Sequence, residues 1–179
     1  MNATAAHWPT PGAGFEQPFE MLQACHERVH RMLGLLARLR GYLPGHGADE
    51  QARQAARDVM RYFDQAAPEH HRDEERHVFP ALLAQGDPDT VSVIKRLQSD
   101  HLQMESRWSE ARKVLAVIAS GELACLGTEE ESALDAFSSL HAGHIDAEEQ
   151  IAYPAAALLL QGAPLEAMSL DMMARRGLR

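Results

Sequence analysis

The stretch His70-His-Arg-Asp-Glu-Glu-Arg-His-Val-Phe-Pro80 recurs 74 residues later as His144-Ile-Asp-Ala-Glu-Glu-Gln-Ile-Ala-Tyr-Pro154. A histidine, a Glu-Glu pair, an aromatic residue and a proline keep their offsets in both copies, and each copy runs through an Ala/Leu segment to a Gln-Gly-X-Pro stop. Residues four apart on a helix share a face, their Cβ atoms about 5–6 Å apart. His70 and Glu74 therefore point the same way, as do His144 and Glu148. Upstream of each copy a further histidine stands at a matching position on a core stripe, His26 and His101, 75 residues apart. The chain reads as two copies of a helical hairpin related by a pseudo-twofold axis, with matching residues meeting around that axis.

The periodicity around these motifs sets the elements. Steps of three and four place Phe19, Leu22, His26, Val29, Leu33 and Leu36 on one face of a helix over 16–40, which Gly41–Gly47 should break. A second helix is expected over 49–85, with Pro68 kinking or splitting it. Asp87 and Pro88 cap a third, over 88–120, whose stripe is Ile94, Leu97, His101, Met104, Trp108, Ala111, Leu115 and Ile118. Thr128 and Glu131 form a capping box for a fourth, running to about 161. Its stripe is Leu134, Phe137, His141, His144, Glu148, Ile151, Ala155 and Leu158, with Pro154 bending it locally. Four long amphipathic helices on short connections predict an all-α, antiparallel, up-down-up-down four-helix bundle. The domain plan is an irregular arm at 1–15, the bundle at 16–161, and a short helix and tail at 162–179 carrying Met168, Met172 and Met173.

The core stripes carry a metal-binding chemistry. Four imidazoles (His26, His70, His101 and His144) and two carboxylates (Glu74 and Glu148) project inward from four helices. A histidine terminates on one metal, while a glutamate reaches across to bridge two. Imidazole plus carboxylate suits iron, with zinc or manganese as alternatives. Two ferrous ions bring four positive charges. Two glutamates and one hydroxide remove three, leaving a cluster that a low-dielectric core tolerates. A lone histidine on an apolar face is usually a core residue with a backbone partner, but an ionised glutamate on a core stripe is almost never left unpaired. Six such groups in register across a repeat argue for metal.

The remaining candidates carry weaker signals. His141, one turn before His144, is the candidate for an additional, asymmetric ligand. His30 and His71 lie beside their stripes, and His77 faces the core. Glu75 and Glu149 are placed to hydrogen-bond ligand imidazoles or to stand exposed in salt bridges. Cys25 reads as a buried, inert thiol.

Composition narrows the class. The 179 residues carry a formal net charge of −9 with no long basic run, which disfavours nucleic acid and anionic membrane as partners. Cys25 and Cys125 build neither a disulfide framework nor a CxxC site. No basic, apolar leader opens the chain, and no run approaches the roughly 18 apolar residues of a membrane span. A cytoplasmic protein is expected.

With these residues assembled, the chain resembles the hemerythrin-like family, the HHE cation-binding domains, over about residues 16–161. The resemblance implies two iron ions, oxo- or hydroxo-bridged, held by His26, His70, Glu74, His101, His144 and Glu148. It also implies a small diatomic or peroxide ligand. In the oxygen-carrying hemerythrins a second histidine follows one turn after the first on the third helix, whereas here that position is Glu105. The chain is more similar to six-ligand bacterial members, including iron–sulfur repair proteins, though without the Cys-containing N-terminal domain those usually carry. The expected function is dioxygen or nitric oxide binding for sensing, scavenging or delivery. The alternatives are iron handling or cluster repair, and a di-iron peroxide or nitric oxide reductase. The expected partner protein is an electron donor or an iron acceptor.

Overall fold

A computed structural model of the chain describes residues 14–178. The expected arm at 1–15 therefore lies outside the described residues except for Gly14 and Phe15. The described residues are all-helical. They comprise α1 (Pro18–His46), α2 (Glu50–Asp73), α3 (Phe79–Gln85), α4 (Pro88–Ser120), α5 (Thr128–Ser138), α6 (His141–Ala147), α7 (Tyr153–Leu159) and α8 (Ala163–Arg175). Two single π turns, Glu74–Val78 and Glu148–Ala152, join α2 to α3 and α6 to α7. None of these helices is long and apolar enough to cross a membrane.

Successive elements pack on one another: α1 on α2, α2 on α4, α4 on α5, and α3 on α7. The Arg40 guanidinium on α1 grips Glu131 and Asp135 on α5, so the first and last long segments also meet, and the packing is that of a bundle. Caps set the boundaries. Asp49 accepts from the Ala52 N–H at 2.9 Å and Asp87 from the Thr90 N–H at 3.0 Å. Gly121, at φ 86°, closes α4 in the left-handed conformation.

Several expected boundaries move. The first helix passes Gly41 and Pro44 and ends at His46, because Leu39 and Leu43 are buried and hold its last turns on the core. Pro68 neither ends nor splits α2. It is exposed, as is Asp64 one turn earlier, so the ring lies on the outer face of the helix. The fourth helix starts on Gly127, whose N–H donates to Glu130 at 2.9 Å. Thr128 and Glu131 do not form the expected box, because Glu131 is taken by Arg40. That helix is also interrupted at Ser139–Leu140.

The largest revision comes from the π turns. Each lies within a copy of the repeat, after the motif histidine, and closes with an i→i−5 bond, Phe79 N–H to the Glu74 carbonyl and Tyr153 N–H to the Glu148 carbonyl. The extra residue turns the downstream helix, so Val78, Phe79, Ala152 and Tyr153 are buried. His77 and Ile151, which an unbroken α period places inward, rotate outward. Ile151 is 40% exposed, and the stripe position Leu158 is 76% exposed. His77 meets Asp171 on α8 at 2.8 Å.

Two apolar clusters result. One contains Leu36, Val59, Phe63, Leu115 and Phe137. The other contains Leu22, Phe79, Leu97, Tyr153, Met168 and Met172. The motif histidines and glutamates belong to neither cluster. α8 is more than apolar filler: Arg175 and Arg176 both pair with the fully buried Asp73, next to Glu74.

Candidate metal centre

α1 and α4 each supply one histidine, His26 and His101. α2 and α6 each end on a motif, and the π turn that follows widens the backbone where Glu74 and Glu148 face inward. Burial is nearly complete: the four histidines are 2–4% exposed and both glutamates 0%.

The imidazoles converge in pairs. His26 Nε2 lies 3.1 Å from His70 Nε2, and His101 Nε2 lies 3.1 Å from His144 Nε2. Each glutamate touches both pairs. Glu148 reaches His26 at 3.0 Å, His144 at 2.8 Å and His101 at 3.7 Å. Glu74 reaches His70 at 3.6 Å and His101 at 3.5 Å. One group of potential donors comprises His26, His70, Glu74 and Glu148; a second comprises His71, His101 and His144. All six residues expected from the sequence are thus brought together.

Three of the four outer ring nitrogens face carboxylates, while His70 Nδ1 is buried without a partner. His26 Nδ1–H donates to Glu149 at 2.8 Å and His101 Nδ1–H to Glu75 at 2.9 Å. His144 Nδ1 faces Asp100 at 3.4 Å. Such bonds fix the tautomer and leave the Nε2 lone pair pointing inward. The Glu-Glu pairs therefore divide their labour, one carboxylate inside and its neighbour orienting an imidazole.

The interior is consequently rich in acceptors and short of donors. Both oxygens of Glu148 and Oε2 of Glu74 are buried with no hydrogen-bond donor. Leaving such groups unpaired is costly. Facing imidazole nitrogens at 3.1 Å and orphaned carboxylate oxygens are what a divalent cation satisfies, so the residues present fit bound metal.

In the metal-free protein the charges are unequal. Burial, followed by the facing charge of Glu148, raises Glu74 well above the usual carboxylate range. Burial would raise Glu148 too, but the imidazoles of His101, His144 and His26 outweigh it and hold that carboxyl well below the usual range. Burial opposes protonation of His26, yet Glu148 and Glu149 overcome it and raise its pKa. Burial, reinforced by His26, pushes His70 well down.

Three further residues define the surroundings. Tyr153 OH donates to Glu74 at 2.6 Å and lies 3.2 Å from His26 Nε2. The sequence signalled it only as the aromatic member of the repeat. His71, read as lying beside its stripe, stacks on His101 at 3.9 Å with an interplanar angle of 12°. His141 falls in neither donor group. Its Nδ1–H donates to the Phe137 carbonyl at 3.1 Å, its ring packs edge-on against Phe63 and Phe137, and burial lowers its pKa to about 4. His30 is exposed. Cys25 is buried, and burial raises its thiol pKa.

Comparison with known proteins agrees with this geometry. Residues 17–156 match the family model of the hemerythrin HHE cation binding domain. A protein of Haemophilus influenzae (strain ATCC 51907 / DSM 11121 / KW20 / Rd), described only as an uncharacterized protein, is 36% identical over 101 residues, which is 56% of this chain and 58% of that protein. This chain therefore spans under two thirds of that relative's length.

Proposed function

The chain belongs to the hemerythrin HHE cation-binding family, and we propose that it is a non-heme di-iron protein that binds dioxygen or nitric oxide for sensing, scavenging or delivery. The observation that carries this reading is the pair of fully buried glutamates with orphaned oxygens, each in reach of imidazoles from both pairs. His26 and His70 would hold one iron and His101 and His144 the other, with Glu74 and Glu148 bridging them beside an oxo or hydroxo group. The proposed scaffold is the antiparallel up-down-up-down bundle with its pseudo-twofold, supported by the short connections and the matched π turns.

When bound, a ferrous pair supplies electrons and open coordination positions to a small ligand. This chain's own residues do the rest. Glu75 and Glu149 orient His101 and His26, and Tyr153 OH holds a proton against Glu74 Oε1. The two apolar clusters flank the buried layer. An electron-donor or iron-acceptor protein would complete the alternatives of reduction or iron delivery.

Stopped-flow spectra of the reduced, iron-loaded protein with dioxygen and with nitric oxide test the reading. A reversible adduct is expected. Continuous turnover would make the protein an enzyme, and rapid loss of iron to a chelator would favour iron delivery.

A further inference from the structure

One side of the centre opens outward. A cavity of about 320 Å³ lies between α2, α4 and the α5–α6 segment. His101 and His71 line it, together with apolar Phe63 and Trp108, and neither His26 nor His70 does. Glu105 and the 70% exposed Leu102 stand at its outer rim. It therefore reaches the half built on His101 and His144. The repeat makes this asymmetry legible: the counterpart of His71 in the second copy is Ile145, which is buried in the apolar cluster around Phe63 and Phe137.

His71 is placed differently from the convergent histidines. The rings of His26 and His70 meet at 81° and those of His101 and His144 at 51°, each pair with Nε2 atoms 3.1 Å apart. His71 instead lies parallel to His101, with one ring nitrogen within 4.8 Å of the donor atoms of His101 and His144. Ring contacts hold it, and no described side chain hydrogen-bonds its nitrogens. A cavity of mixed lining, apolar at Phe63, Met104, Trp108 and Phe137 and charged at Arg72, Glu75 and Glu105, with an imidazole N–H that no described side chain engages, suits a small ligand with a hydrogen-bond-accepting end.

Resting on the di-iron reading, we propose that the exogenous ligand enters through this cavity to the His101–His144 half of the centre, where an N–H of His71 meets it. The two halves of the repeat are then unequal in function: this cavity serves the His101–His144 half and is not lined by His26 or His70. His71 acts on the incoming ligand and is not itself needed to keep the metal.

Azide added to the oxidised, iron-loaded protein is the probe, followed by its charge-transfer absorption at equilibrium and by stopped flow. His71→Leu should weaken azide by roughly tenfold or more while retaining both irons, the cost of one hydrogen bond to a charged ligand. His71→Gln, which keeps an N–H donor, should recover most of that loss. Glu105→Trp narrows the rim and should slow association several-fold. His30→Trp, at the matching exposed position of the other half, should leave it at the wild-type rate. Unchanged azide binding in both His71→Leu and Glu105→Trp, slowing by His30→Trp instead, or absence of azide binding by iron-loaded protein would overturn the proposal. Loss of iron in His71→Leu would do the same, by making His71 a ligand. Wild-type protein that takes up no iron would instead overturn the di-iron reading itself.

Discussion

In the first copy of the repeat the residue after the π turn is Phe79, whose ring lies 5.4 Å from that of His101; in the second it is Tyr153, 5.5 Å from His26. The backbone and the ring positions correspond, and the chemistry does not. Only Tyr153 carries a hydroxyl, and it is spent on the first copy's Glu74. Glu148 has three imidazoles within 3.7 Å and no such donor. The two copies thus share a backbone pattern, and a few side chains place their inner carboxyls in different electrostatic surroundings. In the metal-free protein burial and the facing charge of Glu148 favour the protonated form of Glu74, and the surrounding imidazoles favour the ionised form of Glu148.

The harshest test of the comparison removes a carboxylate. Glu148→Ala deletes the group that touches three of the four imidazoles, and at least one metal should be lost. His101→Ala should behave alike, while His30→Ala should keep the full complement, as its residue is exposed. Metal analysis after loading with excess ferrous iron reads the result. Retention in His101→Ala with loss in His30→Ala would show that the wrong helix face has been taken as the interior.

Removing the metal itself should come next in effect. Two buried carboxylates are then left face to face, and stability should fall by at least about 3 kcal/mol. The pH dependence follows from the raised Glu74. Between the ordinary carboxylate range and its raised value, the folded state keeps a proton that the unfolded state has released. Unfolding free energy therefore declines as pH rises through that window. Denaturant titrations of metal-free protein should show this decline. Loaded protein should not, because there the metal takes the place of the proton on Glu74. A flat metal-free profile would contradict the asymmetry of the two glutamates.

Tyr153→Phe makes the two copies alike and removes one hydrogen bond to Glu74. Metal-free protein should lose about 1–3 kcal/mol at pH values where Glu74 is ionised. Phe79→Tyr, the reverse exchange, should not restore it, because Phe79 stacks on His101 rather than on His26.

The smallest effects test the π turns. His77→Ala breaks a partly exposed pair with Asp171 and should cost no more than about 1 kcal/mol. Ile151→Ala should be within about 0.5 kcal/mol of wild type, as expected away from the core. Val78→Ala, one residue from His77, empties a fully buried position and should cost clearly more in chemical denaturation. Equal costs at His77 and Val78 would mean that the helix continues with an unbroken α period.

These positions also show where the sequence was legible. The inward facing of His26, His70, Glu74, His101, His144 and Glu148 was readable because they precede the extra residue of each π turn or lie on helices without one. There the 3.6-residue period holds. Beyond Glu74 and Glu148 the period slips by one, and His77, Ile151 and Leu158 were assigned to the wrong face. The proline six residues after each inner glutamate was the visible trace of that slip, since a ring without an N–H sits easily beyond a widened turn. Pro68 carried the same letter without the same consequence, because its turn faces water. The Glu131–Arg40 pairing and the stacking of His71 on His101 join residues distant in sequence, and no local spacing encodes them. Tyr153 was visible as an aromatic, but its partner Glu74, on the opposite copy, was not.

Anaerobic titration of metal-free protein with ferrous iron tests the shared-glutamate centre most directly. The account predicts an end point near two irons per chain for the wild type, falling to one or none in Glu148→Ala because that carboxylate serves both halves. An end point of one or none in the wild type, or of two in Glu148→Ala, would contradict it.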